Sequence, residues 1–173
     1  AQMDEMERRM ADMRLVLDGV FNHMGRRSPW FQEALADENS PWREWFYIGD
    51  QYRYGYRAWA NVQNLPDVNL ESATVRGRIF NDSDSVVQGY LRDGVDGWRL
   101  DVAFDIGPRF LCELTESAHR AKPGSLVVGE IWNYPEDWSP AVDAVMNFHA
   151  RRILFEVVQG NLSGVVAGRL LER

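Results

Sequence analysis

Four short apolar runs, each closed by a polar residue, constrain this chain more than any other feature. Leu15-Val16-Leu17 runs into Asp18-Gly19, Val95 to Val102 contains Gly97-Trp98-Arg99-Leu100-Asp101, Leu126 leads through Val127-Val128-Gly129 to Glu130, and Ala141 to Asn147 makes a fourth. Continuous apolar runs of this length suit strands covered on both faces, the usual condition of a parallel sheet. Helical stretches between them imply crossover connections, so the class is α/β, either a doubly wound sheet or part of a barrel. No glycine-rich dinucleotide fingerprint follows any run, and the polar residues gather at the strand ends, which favours the barrel.

The segments between the runs carry weaker signals. Met3, Met6, Met10 and Met13 recur at helical spacing and predict a helix with a packing face before the first strand. From Phe21 to Asn69 no clean period holds and aromatics crowd together, which describes a long ordered loop at a functional end. Asn69 to Asp93 reads as two helical pieces, the second capped near Asp84. Pro108 suits the first turn of a helix running to about Ala121, with Glu116 and Arg120 as an i,i+4 pair and Lys122-Pro123-Gly124 as its stop. A last helix passes through Arg152, Leu154, Phe155 and Val158.

Composition narrows the partners. The 173 residues suffice for one domain, and 45% apolar content supports a packed core. No apolar run approaches the roughly 18 to 20 residues of a membrane helix, and the net charge of -7 argues against nucleic acid or an anionic membrane as partner. The single cysteine, Cys112, excludes an internal disulfide and reads as a buried structural thiol on the Phe110, Leu111, Leu114, Ala118 face.

Chemistry concentrates at the strand ends. Arg99 and Asp101 share one side of their strand while Trp98 and Leu100 take the other, so the guanidinium stabilises an ionised Asp101, as a carboxylate nucleophile requires. Glu130 ends an apolar run before Ile131-Trp132, where burial against aromatic surface would raise its pKa and keep it protonated as a general acid. Paired acids at the ends of neighbouring strands are how barrel enzymes place such groups across one bond. Past the first strand, Asp18 can bond Arg99, Asn22 can fix the loop backbone and His23 can reach a sugar hydroxyl. His119 and His149 are read as structural. Trp42, Trp45, Phe46, Tyr47, Tyr52, Tyr54, Tyr56 and Trp59 fall within eighteen positions, and most of them are expected to pin the loop while one or two line sugar subsites.

Asp18-Gly19-Val20-Phe21-Asn22-His23, Leu65-Pro66-Asp67-Val68-Asn69, Gly97-Trp98-Arg99-Leu100-Asp101-Val102-Ala103 and Val128-Gly129-Glu130-Ile131-Trp132 resemble, in order, four motifs of the alpha-amylase family of glycoside hydrolases. The connecting segments look like the branch that holds cyclomaltodextrinases, neopullulanases, maltogenic amylases and maltodextrin glucosidases. The resemblance implies retaining hydrolysis of alpha-glucosidic bonds, with Asp101 as nucleophile, Glu130 as acid and then base, Arg99 positioning Asp101, and Asp18 and His23 serving the sugar at the cleavage point. Its substrates would be maltooligosaccharides, cyclodextrins or related alpha-glucans. No cofactor is required for that chemistry; calcium in the parent protein stays open, because the motif around Asp67 serves calcium in some members and loop architecture in others.

One family motif, an Asn-His-Asp triplet carrying a third catalytic carboxylate, has no counterpart after Asn147. A complete barrel of this kind takes about 250 residues. Residues 1–173 are therefore expected to be a partial (β/α)8 TIM barrel, about four of eight strands without the first two and the last, and inactive when isolated. Transglycosylation and a non-catalytic carbohydrate-binding or scaffold role are the alternatives, and retention of both acids speaks against the latter. A homodimeric parent completes the expectations; the compartment stays open, with the cytoplasm favoured.

Overall fold

The computed structural model describes residues 13–172. Four parallel strands, β1 (Val16–Gly19), β2 (Gly97–Leu100), β3 (Leu126–Ile131) and β4 (Ala144–Asn147), lie side by side in the order of the sequence. Sequential order without reversal gives the sheet no topological switch point, which is the arrangement of a barrel wall and not of a doubly wound sheet. The molecule is an arc of an α/β barrel. The helix predicted on Met3, Met6, Met10 and Met13 falls outside the described residues except for Met13, which is exposed.

The two faces of the sheet differ sharply. Trp98, Leu100, Val127 and Ile131 point to the helical side and are almost fully buried, each worth about 1.5–3 kcal/mol relative to exposure. On the opposite face, which carries Asp18, Arg99 and Glu130 by strand alternation, Val16, Leu126 and Met146 are each about 40% exposed.

Helices cover the buried side. After β1 come α1 (Pro29–Ala36), α2 (Ala73–Arg76) running into a π-helical turn (Gly77–Asn81), and α3 (Val86–Arg92). After β2 come α4 (Ala103–Ile106) and α5 (Pro108–Ala121), and after β4 come α6 (Phe148–Val158) and α7 (Gly164–Leu171). α5 starts at Pro108 as expected and buries Phe110, Leu111, Leu114 and Ala118. Cys112 on this helix is only half-buried, because it lies at the edge of that stripe and not within it. The Glu116–Arg120 pair forms at 4.0 Å on the exposed side, where it contributes little. Ser85 caps α3, next to Asp84 as expected, its hydroxyl accepting the Gln88 N–H. Gln88 Nε2 in turn donates to Ser117 Oγ at 2.8 Å and to the Phe80 and Asn81 carbonyls, so the π-helical turn, α3 and α5 share one buried polar junction.

The long loop holds more structure than its sequence suggests. α1 lies within it, and four isolated bridges, His23 with Asp67, Phe46 with Val68, Ile48 with Tyr56 and Ala58 with Pro66, fold it back on itself. Phe31, Phe46 and Tyr56 pack edge-to-face at its centre, so most of the clustered aromatics pin the loop as expected. β4 is shorter than the predicted Ala141 to Asn147, because Ser139–Ala141 is a 3₁₀ turn and Asp143 serves as a side-chain anchor.

Candidate active site

Strand register brings the acids together. Asp18 pairs with Arg99 across β1 and β2, and Leu100 pairs with Gly129 across β2 and β3, so Asp101 and Glu130 follow as the next residues on the same face. Gly129 permits this by letting Ala103 approach β3 closely; a Cβ there would lie 3.2 Å from that of Ala103.

Arg99 is the hub. Its Nη1 donates to Asp18 Oδ1 at 2.7 Å and to Asp101 Oδ1 at 2.8 Å, and its Nη2 lies 2.9 Å from Glu130 Oε2. Nε points at Met146 Sδ, 3.4 Å away on β4. Burial works against the guanidinium charge, but the three carboxylates more than offset it and raise its pKa. The expected Asp18–Arg99–Asp101 contacts are therefore present, and Glu130 joins them.

Glu130 corrects one expectation. Burial pushes its carboxyl up as anticipated, yet the Val102 N–H at 2.9 Å on Oε2, the Trp132 indole N–H at 2.9 Å on Oε1 and the Arg99 charge together outweigh it. The net shift is downward, opposite to the expected direction. Trp132, anticipated as apolar surface, acts through its polar edge.

His23 is buried, with Nδ1 unpartnered, and stacks on Trp59 at 5.3 Å. Trp59 donates its indole N–H to Asp105 Oδ2 at 2.8 Å and meets the Trp132 ring edge-to-face at 6.5 Å, while Phe104 packs against Trp132 at 5.0 Å. An aromatic wall built from the loops after three strands thus stands beside the acids. Trp59 belonged to a cluster visible in sequence; Phe104, Asp105, Val102 and Met146 gave no sequence signal of a role. Val102 is unusual in another way, since its backbone is left-handed at φ 47° and ψ 43°, a conformation costing a β-branched residue about 1–3 kcal/mol.

Calcium can be tested at Asp67. Burial raises the pKa of this carboxyl despite Arg57, whose Nε donates to Oδ2 at 2.7 Å while its guanidinium stacks 3.6 Å from the Tyr47 ring. Oδ1 is buried and unpartnered. Calcium takes six to eight oxygens, and among the described residues no group of three or more His, Cys, Asp or Glu side chains is arranged to hold a metal ion. Asp67 already has its cation in Arg57, so the side chains around it here do not fit a calcium site, and its backbone bridges to His23. A separate apolar hollow of about 590 Å³, lined by Phe21, Trp30, Trp42, Trp45 and Ile79 among others, contains none of the residues of the Arg99 cluster.

Comparison with known proteins identifies the assembly. The sequence profile described as "Alpha amylase, catalytic domain" matches residues 2–160. The chain belongs to the alpha-amylase family. Neopullulanase 2 of Thermoactinomyces vulgaris is 33% identical over 155 residues, 84% of this chain and 26% of that protein. A cyclomaltodextrinase of a Bacillus species is 32% identical over 146 residues, 79% of this chain and 25% of that protein. The chain thus spans about a quarter of the length of the curated relatives it matches. Among solved structures, the ligand-free cyclic alpha-maltosyl-(1→6)-maltose hydrolase of Arthrobacter globiformis superimposes with a TM-score of 0.84 at 27% identity, covering 96% of this chain and 39% of that one. The alpha-amylase fold and the branch of relatives agree with the motif resemblance.

Proposed function

We propose that, within a complete barrel, these residues hydrolyse alpha-glucosidic bonds of maltooligosaccharides or related alpha-glucans with retention of configuration. The observation that supports this most is the placement of Asp101 and Glu130 at the ends of adjacent parallel strands, both bonded to one guanidinium. Asp101 attacks the anomeric carbon as Glu130 gives a proton to the departing glycosidic oxygen, leaving a glycosyl ester on Asp101. Glu130 then takes a proton from water, which attacks the same carbon and releases Asp101.

Charge coupling governs Glu130 through this cycle. A sugar seated between the acids excludes water and strengthens the burial effect, which favours the protonated, acid form. After Asp101 is esterified, the Val102 and Trp132 donors and Arg99 favour the ionised, base form. His23, Trp59 and Trp132 supply ring faces for an apolar sugar surface.

The test is proton NMR of the first product formed from a maltooligosaccharide by a complete enzyme carrying these residues. Initial appearance of the α anomer is expected; initial appearance of the β anomer contradicts retention. Hydrolysis and transglycosylation share every residue named, and the ratio of glucose-type to elongated products separates them.

A further inference from the structure

Val102 follows the proposed nucleophile directly, and it is one of three non-glycine residues with positive φ among those described. Ala60 and Asn61, the other two, lie in the long loop, whereas Val102 is β-branched, buried and at the end of a central strand. A β-branched residue stays in this conformation only where its surroundings over-determine it. Here the Asp101 N–H is held by the Gly19 carbonyl on β1, the Val102 carbonyl accepts the Asp105 N–H, and the Val102 side chain packs into the interior.

We propose that Val102 is a positioning residue for the acid/base: the left-handed turn aims its N–H at Glu130 Oε2, fixing that carboxyl relative to the nucleophile one residue away. The proposal rests on the reading of Asp101 and Glu130 as nucleophile and acid/base. Arg99 does not do this alone, because its donors are shared with Asp18 and Asp101. A backbone donor belonging to the residue after Asp101 ties the two acids through two covalent steps of chain. The charged groups facing Glu130 are Arg99 and Asp101 from the β2 end, with Asp18 on β1 bonded to Arg99; Asp105 accepts the Trp59 indole N–H and His23 stacks on Trp59. Met146, from β4, is uncharged.

The experiment replaces Val102, in a complete enzyme carrying these residues, by its α-hydroxy acid, so that an ester oxygen stands where the N–H was and the side chain is unchanged. Loss of a donor to the ionised carboxyl should raise the Glu130 pKa and move the basic limb of kcat/KM up by about one pH unit. Val102→Gly, which keeps the N–H and suits positive φ, should leave that limb where it is. An ester variant with an unmoved limb overturns the proposal. If the ester variant does not fold, the wild-type enzyme labelled with ¹⁵N-valine decides: the Val102 amide proton should shift with the ionisation of Glu130 and lose that response in Glu130→Gln. An amide that ignores Glu130 overturns the proposal, and this readout needs no turnover. Failure of the wild-type enzyme to cleave any alpha-glucan would instead overturn the proposed function.

Discussion

At the scale of single residues, Arg99 can bond Asp18, Asp101 and Glu130 at once because a planar guanidinium presents its donors in several fixed directions. Lysine offers one compact charge and cannot span the three. Arg99→Lys in a complete enzyme should therefore lower kcat by about 100-fold with an unchanged circular-dichroism spectrum. A kcat within a few-fold of wild type would mean that charge alone suffices. The Asp18–Arg99–Asp101 relation was legible because strand alternation and parallel register follow from sequence pattern. The downward shift of the Glu130 pKa was not, because it depends on an N–H delivered by a left-handed valine, a conformation that the residue type argues against, and on which edge of Trp132 turns inward.

Elements hold those residues at the right spacing. Gly97 begins β2 where a Cβ would collide with the backbone oxygen of Leu126 on β3, a contact that flexible side chains cannot relieve. Gly97→Ala should separate the two strands and cost about 2 kcal/mol, read as a lower denaturation midpoint in urea; an unchanged midpoint would show that the strands can part freely. Asp96, just before β2, ties three segments together by accepting Lys122 Nζ at 2.8 Å, the Leu15 N–H at 2.9 Å and Arg14 Nη1 at 3.3 Å. The Lys122 bond foremost, then the Leu15 N–H, lowers its pKa from 3.8 to about 2. Since the folded value is the lower one, this stabilisation is complete above 3.8 and is lost as pH falls through about 2. Asp96→Asn should flatten that part of the acid-unfolding profile, and an unaltered profile would remove Asp96 from it. Strands and α5 were legible from apolar runs, Pro108 and the Lys122-Pro123-Gly124 stop. The helix α1 was not, because only Phe31 and Ala34 on it are buried, too few to leave a period among the surrounding aromatics.

For the whole molecule, the sheet has β1 and β4 as its edges, and Val16, Leu126 and Met146 stand half-open on the face that carries the acids. Open edges and apolar surface favour association, so residues 1–173 alone should sediment as concentration-dependent oligomers. A monomer with one cooperative urea transition would contradict this. The barrel class was legible from the polar residues gathered at the strand ends and the absence of a nucleotide fingerprint, while the aromatic wall was not, since Trp59, Phe104 and Trp132 meet only once three separate loops have folded. The proposed function rests on the division of labour between Asp101 and Glu130. The most direct measurement is mass spectrometry of peptides from a complete Glu130→Gln enzyme incubated with α-maltosyl fluoride, whose good leaving group needs no acid. A maltosyl mass increment on the peptide at Asp101 is the predicted result; an increment on any other carboxylate, with Asp101 unmodified, would contradict the account.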